Sequence, residues 1–456
     1  MSLAPKLEKM KAIAGPYRGY DQREAPEPDW DLARTGPNTK MGEYMRRFWQ
    51  PVCLSSQLAD LPHLIRVLGE DLVAFRDRSG RVGVVHRHCC HRGTTLEYGR
   101  IEENGIRCCY HGWLFDVDGT VLETPGEPPQ SRLKQTVFQG AYPAVEYHGL
   151  VLAYMGPPEL KPPFPEYDLF KIPGLSLYPS AVTHENNWLQ TFENNMDPFH
   201  GQFLHTRFTP HFGDHYFVLP VVEWKLTADG SGIFYCALRR VDDDLLWVRL
   251  FHCIFPNFAF VGSLYDLNMQ EPYFQRCFYV RAVVPNDDER TTIYSWRLHG
   301  EGEFAGGEPE RNGWNSIDID GQVEQPDYEL KQRAPGDWEA QGGQRTIAVH
   351  ALERLGTTDA GVAMLRRGLR SILAGKVPAA FPVSETNTHE APLKNIYSSN
   401  TVLRIRRRSD PDAERAHLLA VGREIYGLVE RADSFSPQDR RDEIIAGMQD
   451  IEKRLA

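Results

Sequence analysis

The sequence predicts an α+β protein in three parts: a small all-β domain, a larger domain whose antiparallel sheet wraps a helix, and a helical tail. Three patterns carry this expectation. Short β-branched and aromatic runs broken by Gly, Asp and Ser turns fill residues 64–154, further strands and then one long amphipathic helix fill 221–373, and two amphipathic helices end the chain. With 456 residues the chain has room for two or three separate cores.

The expected divisions are an N-terminal arm and helix (1–44), the small β domain (45–156), a proline-dense linker (157–165), the larger domain (166–402) and the tail (403–456). In the arm, Asn38 or Thr39 can cap a helix carrying Met41, Tyr44, Met45 and Phe48 on one side. Strands are expected at 64–68, 72–76 and 81–85, separated by tight turns. A strand over 142–147 should pair with 150–154 across His148-Gly149. Gly156 to Pro165 reads as a stiff connector. In the larger domain, strands are expected at 221–226, 231–239, 246–255, 275–284 and 291–298. A helix over 358–373 follows, capped by Thr357 or Thr358 and stopped by Gly375, with Val362, Leu365, Leu369, Ile372 and Leu373 as its core stripe. The tail helices span 411–431 and 437–455 and should serve packing or oligomer contacts. The Arg404, Arg406–Arg408 run before them reads as a solvated face.

A net charge of −11 argues against a general nucleic-acid or anionic-membrane binder. No run of eighteen apolar residues is present, so no membrane span is expected. Residues 1–20 lack an apolar core followed by a cleavage site, and Cys53, Cys236, Cys253 and Cys277 form no disulfide framework. The cytoplasm is the expected compartment.

The chemistry is concentrated in 86–113, which contains Cys89-x-His91 and Cys108-x-x-His111. Each loop supplies one cysteine and one histidine. That division suits a two-iron cluster with two thiolates on one iron and two imidazoles on the other, a Rieske-type [2Fe–2S] centre. A zinc finger usually spends its cysteines in one pair and its histidines in another. His86 and His88 fall outside the ligand offsets and are expected at the surface. Cys90 and Cys109 occupy spacer positions and are expected as buried, reduced thiols.

A second candidate centre lies in Glu193-Asn-Asn-Met-Asp197-Pro-Phe-His200-Gly-Gln-Phe-Leu-His205. Two histidines with carboxylates nearby suit a non-haem iron held by two His and one carboxylate, with positions left for dioxygen. His200 and His205 are about 140° apart on a regular helix, so the helix must distort or end between them, and Gly201 is a natural place. Asp197-Pro198 could equally be an N-cap and first helical residue.

Cys89-x-His91, Cys108-x-x-His111-Gly112-Trp113 and Asp197-x-x-His200-x4-His205, in this order, resemble the oxygenase component (α subunit) of a Rieske non-haem iron oxygenase over about residues 38–375. Segments 41–47, 69–76 and 356–362 resemble its phthalate-dioxygenase-like branch. Asn187-Trp188-Leu189-Gln190 and the tail resemble the tert-butyl alcohol oxygenases within it. The resemblance implies a helix-grip (START-like) catalytic domain and an iron carboxylate at Asp337, which residue chemistry does not separate from Glu339 or Asp327. It implies that Asp197 passes electrons from a neighbouring subunit's cluster, with His111 the favoured contact, within a homotrimer or a stack of two. It implies a separate reductase or ferredoxin, dioxygen as co-substrate, and hydroxylation (mono- or cis-di-) or O-demethylation of a small aromatic or alkyl substrate, as in aromatic hydrocarbon catabolism. The competing reading is a Rieske-type electron-transfer protein without oxygenase activity. This chain departs from the family in carrying Cys90 where proline is usual. Arg207 could meet an acidic substrate or be solvated, and Phe251, Phe255, Phe258 and Phe260 are expected mainly as core.

Overall fold

The computed structural model describes Gly19 and residues 25–205, 214–262, 273–304, 313–314, 327–376 and 394–455. Helices α1 (Trp30–Ala33) and α2 (Lys40–Met45) lead into the first strand. Thr39 caps α2, its hydroxyl accepting from the Gly42 amide at 3.2 Å, and Met41, Tyr44 and Met45 are buried.

The small domain holds β1 (Trp49–Leu54), β2 (His63–Val67), β3 (Glu70–Arg76), β4 (Val82–His86), β5 (Arg100–Glu102), β6 (Gly105–Arg107), β7 (Leu114–Phe115), β8 (Val121–Glu123), the short helix α3 (Leu133–Thr136), β9 (Ala141–Tyr142), β10 (Ala144–Tyr147) and β11 (Leu150–Tyr154). They form three sheets, in the orders β1-β11-β10, β2-β3-β4-β9 and β5-β6-β7-β8. The hairpin across His148-Gly149 forms as expected, both turn residues having positive φ. The expected strand over 142–147 is divided, because Pro143 has no amide to donate. Ala141–Tyr142 joins β4, and Ala144–Tyr147 joins β11.

The larger domain is one ten-stranded sheet. Its strands are β12 (Ser176–His184), β13 (Val221–Leu226), β14 (Gly232–Arg240), β15 (Leu245–Ile254), β16 (Phe258–Val261), β17 (Gln275–Arg276), β18 (Tyr279–Pro285), β19 (Thr291–His299), β20 (Gly313–Trp314) and β21 (Ser399–Arg404). The main path runs β13-β14-β15-β16-β18-β19-β12-β20, with β21 also on β15, and all pairings except β12–β20 are antiparallel. Strands β12, β16, β20 and β21 were not expected. Pro179 disguises β12, which β20 meets only at Ser180 and Ala181.

The helices α4 (Trp188–Glu193), α5 (Gly201–Leu204), α6 (Tyr328–Arg333) and α7 (Asp337–Gly342) precede the long α8 (Ala360–Leu373). Helix α8 starts one or two residues later than expected, with Asp359 at the N-cap, and the Asp359 carboxylate turns back to accept from the Gly356 amide. Leu365, Leu369 and Ile372 are buried against the sheet's inner face. Gly361 and Gly368 permit the close approach: a Cβ at 361 would lie 2.1 Å from Trp224 Nε1, and one at 368 would lie 3.1 Å from the Phe255 ring.

The tail helices α9 (Pro411–Arg431) and α10 (Pro437–Leu455) cover the outer face. Leu418, Val421, Ile425, Ile444 and Met448 pack there on Phe234, Cys236, Leu246 and Val248. Buried Arg440 pins α10 to Asp168 and Asp433. No helix among the described residues is long and apolar enough to cross a membrane.

Candidate metal centres

The two cysteine–histidine loops leave the small sheets with the same backbone trace. In the first, the Cys89 amide donates to Thr94 O at 2.9 Å and the Gly93 amide to Cys89 O at 2.8 Å. In the second, the Cys108 amide donates to Trp113 O at 2.8 Å and the Gly112 amide to Cys108 O at 3.1 Å. Both turns close through a left-handed glycine, Gly93 at φ 77° and Gly112 at φ 73°. Cys89 and Cys108 are buried beside each other, while His91 and His111 reach the rim with ring centroids 4.6 Å apart. His91 lies flat on Trp113 at 4.4 Å. Burial, with Cys108 alongside, pushes the Cys89 thiol up to about 12. A thiol so placed keeps its proton until a metal replaces it, so the inner thiols and outer imidazoles fit a Rieske cluster.

Neighbours the motif does not name hold these loops. Gln139 donates to His86 O at 2.9 Å and His88 O at 3.0 Å and accepts from the Cys90 amide at 2.8 Å. Arg107 donates to Gly112 O at 2.7 Å. His86 and His88 are both exposed, as expected, and His88 also contacts Gly93 O at 2.9 Å. Cys90 and Cys109 correct the expectation of buried thiols. Both are free and exposed, because each loop turns its spacer side chain outward while the preceding cysteine points in.

At the second centre, α4 ends in a tight turn at Asn194–Met196, and Asp197 starts the next turn by accepting from the Phe199 and His200 amides at 2.9 and 3.3 Å. Helix α5 is a single turn, with His200 before it and His205 after it. Their Nε2 atoms are 3.3 Å apart. Gly201 lies inside this turn and is needed for clearance, since a Cβ there would sit 2.5 Å from the Tyr216 hydroxyl. Asp337 opens α7 and meets both rings, Oδ1 at 3.5 Å from His200 Nε2 and Oδ2 at 3.5 Å from His205 Nε2. The three residues offer ligand atoms all within 4.8 Å of one another. Glu339 instead accepts from the Gly336 amide, and Asp327 caps α6.

Polar residues on a buried helix fix this geometry. Asn194 donates to Asp337 Oδ1 at 3.2 Å. Gln190 clasps the chain after Asp337, donating to Gln341 O and Arg345 O at 2.9 Å each and accepting from the Ala348 amide at 2.8 Å. Arg366 of α8 binds Glu193 and Glu353, and breaking such a buried ion group costs about 3–5 kcal/mol. Sequence reasoning assigned no role to Gln139, Gln190, Asn194 or Arg366. The signal for Gln190 and Asn194 was a run of polar side chains within an otherwise apolar helix.

The charges suit a cation. Burial works against the Asp337 carboxylate, yet His200, His205 and Arg281 together hold it below its ordinary range. Burial likewise opposes His200, but Asp197 and Asp337 raise it, whereas burial keeps His205 low against the pull of Asp337. The Asp197 carboxylate stands 3.6 Å from His200 Nδ1, and Asp197 also lines a polar cavity of about 440 Å³ together with Asn194, Arg345, Glu353 and Arg366. A divalent ion can replace the proton shared among these groups, and two His with one carboxylate suit a non-haem iron. Arg207 lies outside the described residues. Phe251, Phe255, Phe258 and Phe260 are all buried in the main core.

Residues 48–139 match the Rieske [2Fe-2S] domain family. The chain is 40% identical over 462 residues to the tert-butanol monooxygenase / tert-amyl alcohol desaturase oxygenase subunit of Aquincola tertiaricarbonis, covering 96% of each. It is 39% identical over 381 residues to phenoxybenzoate dioxygenase subunit alpha of Ectopseudomonas oleovorans, covering 79% of this chain and 89% of that one. The solved structure of NdmB from Pseudomonas putida CBB5 shares the fold, with a TM-score of 0.55 at 17% identity over 74% of this chain and 96% of that one. A β domain with paired cysteine–histidine loops, a helix-grip sheet and 40% identity along nearly the whole chain make it a member of the Rieske non-haem iron oxygenases, an oxygenase α subunit that works with a [2Fe–2S] Rieske cluster, a mononuclear iron and dioxygen.

Proposed function

We propose that Cys89, His91, Cys108 and His111 hold the cluster and that His200, His205 and Asp337 hold the mononuclear iron. The observation that carries the second assignment is the convergence of three ligand atoms within 4.8 Å. A protein that only transfers electrons has no use for that site, which weighs against the electron-transfer alternative. When bound, the cluster supplies electrons one at a time and the mononuclear iron activates dioxygen. The residues' own work is positional. Asn194 and Gln190 aim Asp337, and Asp197 orients His200 through its carbonyl at 2.6 Å and its nearby carboxylate.

The chain acts as the terminal component of an oxygenase system, receiving electrons from a separate reductase or ferredoxin and hydroxylating or O-demethylating a small aromatic or alkyl molecule. The cavity behind Asp197 receives the His111 edge of a second copy's small domain, which makes the working form a homotrimer or a stack of two. Exposed Leu355 and half-exposed Leu352 on its rim, and exposed Tyr110 beside His111, supply apolar contact for that docking. The compartment is the cytoplasm and the role is catabolic, in the breakdown of small aromatic or alkyl compounds. The test is substrate-coupled oxygen uptake with a surrogate reductase. Uptake should vanish in Asp337→Ala and Asp197→Ala, with cluster absorption intact in both. Full uptake in either variant contradicts the assignment.

A further inference from the structure

Arg46, Arg240, Arg366 and Arg440 are buried, and each bonds a carboxylate: Glu70, Glu414, the Glu193–Glu353 pair, and the Asp168–Asp433 pair, respectively. Arg281 is placed differently. It is half-buried on β18, in the middle of the sheet, opposite Ala259 of β16 on one side and Ser295 of β19 on the other. Its guanidinium meets no carboxylate within salt-bridge distance among the described residues. The fork closes instead on a neutral amide, where Nε, at 2.9 Å, and Nη2 both donate to Asn195 Oδ1.

Asn195 is 3% exposed and belongs to the turn that ends α4. Its Nδ2 donates to Phe192 O at 2.8 Å and to Thr191 O at 3.4 Å, so this side chain joins the last carbonyls of the helix to Arg281. The neighbours of Asn195 serve the iron site. Asn194 donates to Asp337 Oδ1 at 3.2 Å, and Asp197 accepts from the His200 amide at 3.3 Å.

A guanidinium on a strand that is hydrogen-bonded on both sides is a fixed post, and its planar fork holds one orientation. The charge also reaches the centre. Burial works to raise the Asp337 carboxyl, and Arg281 joins His200 and His205 in holding it down.

We infer that Arg281 is a positioning residue for the mononuclear iron: through Asn195 it fixes the turn that carries Asn194 and Asp197, and it sets beside that turn a positive charge that no carboxylate pairs. This rests on the iron assignment above and adds to it a residue, outside the proposed ligands, that biases the oxidation state of the metal. Ferric iron carries one more positive charge than ferrous iron, so a fixed cation nearby favours the ferrous form.

The test is Mössbauer spectroscopy of the cluster-loaded protein carrying isotopically enriched iron at the mononuclear site, poised anaerobically with dithionite and ferricyanide through mediators. At one fixed potential, Arg281→Gln should lower the ferrous-to-ferric ratio about tenfold, with reduction of the cluster unchanged. Arg281→Lys keeps the charge and loses the fork. Its ratio should stay within about threefold of the unaltered protein, while iron affinity in a metal titration falls about tenfold. An unmoved ratio in Arg281→Gln, an equal shift in Arg281→Lys, or full iron affinity in Arg281→Lys overturns the inference. Should Arg281→Gln fail to fold, Arg281→Lys decides alone, since it must lose affinity and hold the ratio. The iron assignment fails separately, when the unaltered protein takes up no iron beyond that of its cluster. A mononuclear iron indifferent to Arg281 leaves that assignment standing and removes this inference.

Discussion

The cluster loops and the mononuclear centre use similar ligands but are assembled by different means. Each loop is closed by two backbone hydrogen bonds and one left-handed glycine, so its shape is set within a handful of residues. The mononuclear centre joins a one-turn helix near residue 200 to the start of a helix at 337, and side chains on a third helix, Gln190 and Asn194, keep them in register. The first is mainly a local design, with Gln139 and Arg107 as its outside supports. The second depends on tertiary contacts and is exposed to loss at several points.

That contrast can be broken by substitution. The largest effect is expected at Asp337→Ala, which removes one of the three donors proposed for the mononuclear iron. Oxygen uptake should fall at least about 100-fold, while the cluster spectrum is unchanged. Next is Gln190→Leu, which touches no ligand yet frees the chain after Asp337. Iron affinity in a metal titration should drop by about 10–100-fold, again without disturbing the cluster. In the other region, Gly93→Ala meets no atom within 4 Å and forces only the backbone. It should cost about 1–2 kcal/mol, seen as a lower melting temperature and earlier cluster loss, with mononuclear iron retained. Gly93→Asn should cost less, since asparagine visits that conformation.

The smallest effect concerns pH. Burial lowers the His252 imidazole to about 3. Its contribution to stability is therefore complete above the unfolded value of about 6.5 and is lost as pH falls from there toward the folded value. The ring stacks on Tyr397 at 4.8 Å, so His252→Phe keeps the stack and should flatten part of the decline in melting temperature below about pH 6.5. An unchanged slope would place the acid sensitivity elsewhere.

The same contrast explains what could be read from the sequence. Cys89, His91, Cys108 and His111, the proposed cluster ligands, are legible because a local loop writes its donors and glycines at fixed offsets. His200 and His205 are legible as a pair. Asp337 was reachable only through family resemblance, because no spacing connects a ligand to partners so distant in the chain. Strand β12 was hidden by Pro179, whose position beside a two-residue neighbour only the sheet order explains. Cys90 and Cys109 were misjudged because composition says that cysteines are buried, whereas the loop geometry decides which of two adjacent cysteines points inward.

The most direct test is an iron and sulfide count with EPR of the dithionite-reduced protein, comparing wild type with Asp337→Ala. The unaltered protein should hold a third iron beyond the two of its cluster, and the variant should lose that iron alone while keeping the Rieske signal. Retention of the third iron, or loss of the cluster along with it, would contradict the separate construction of the two centres.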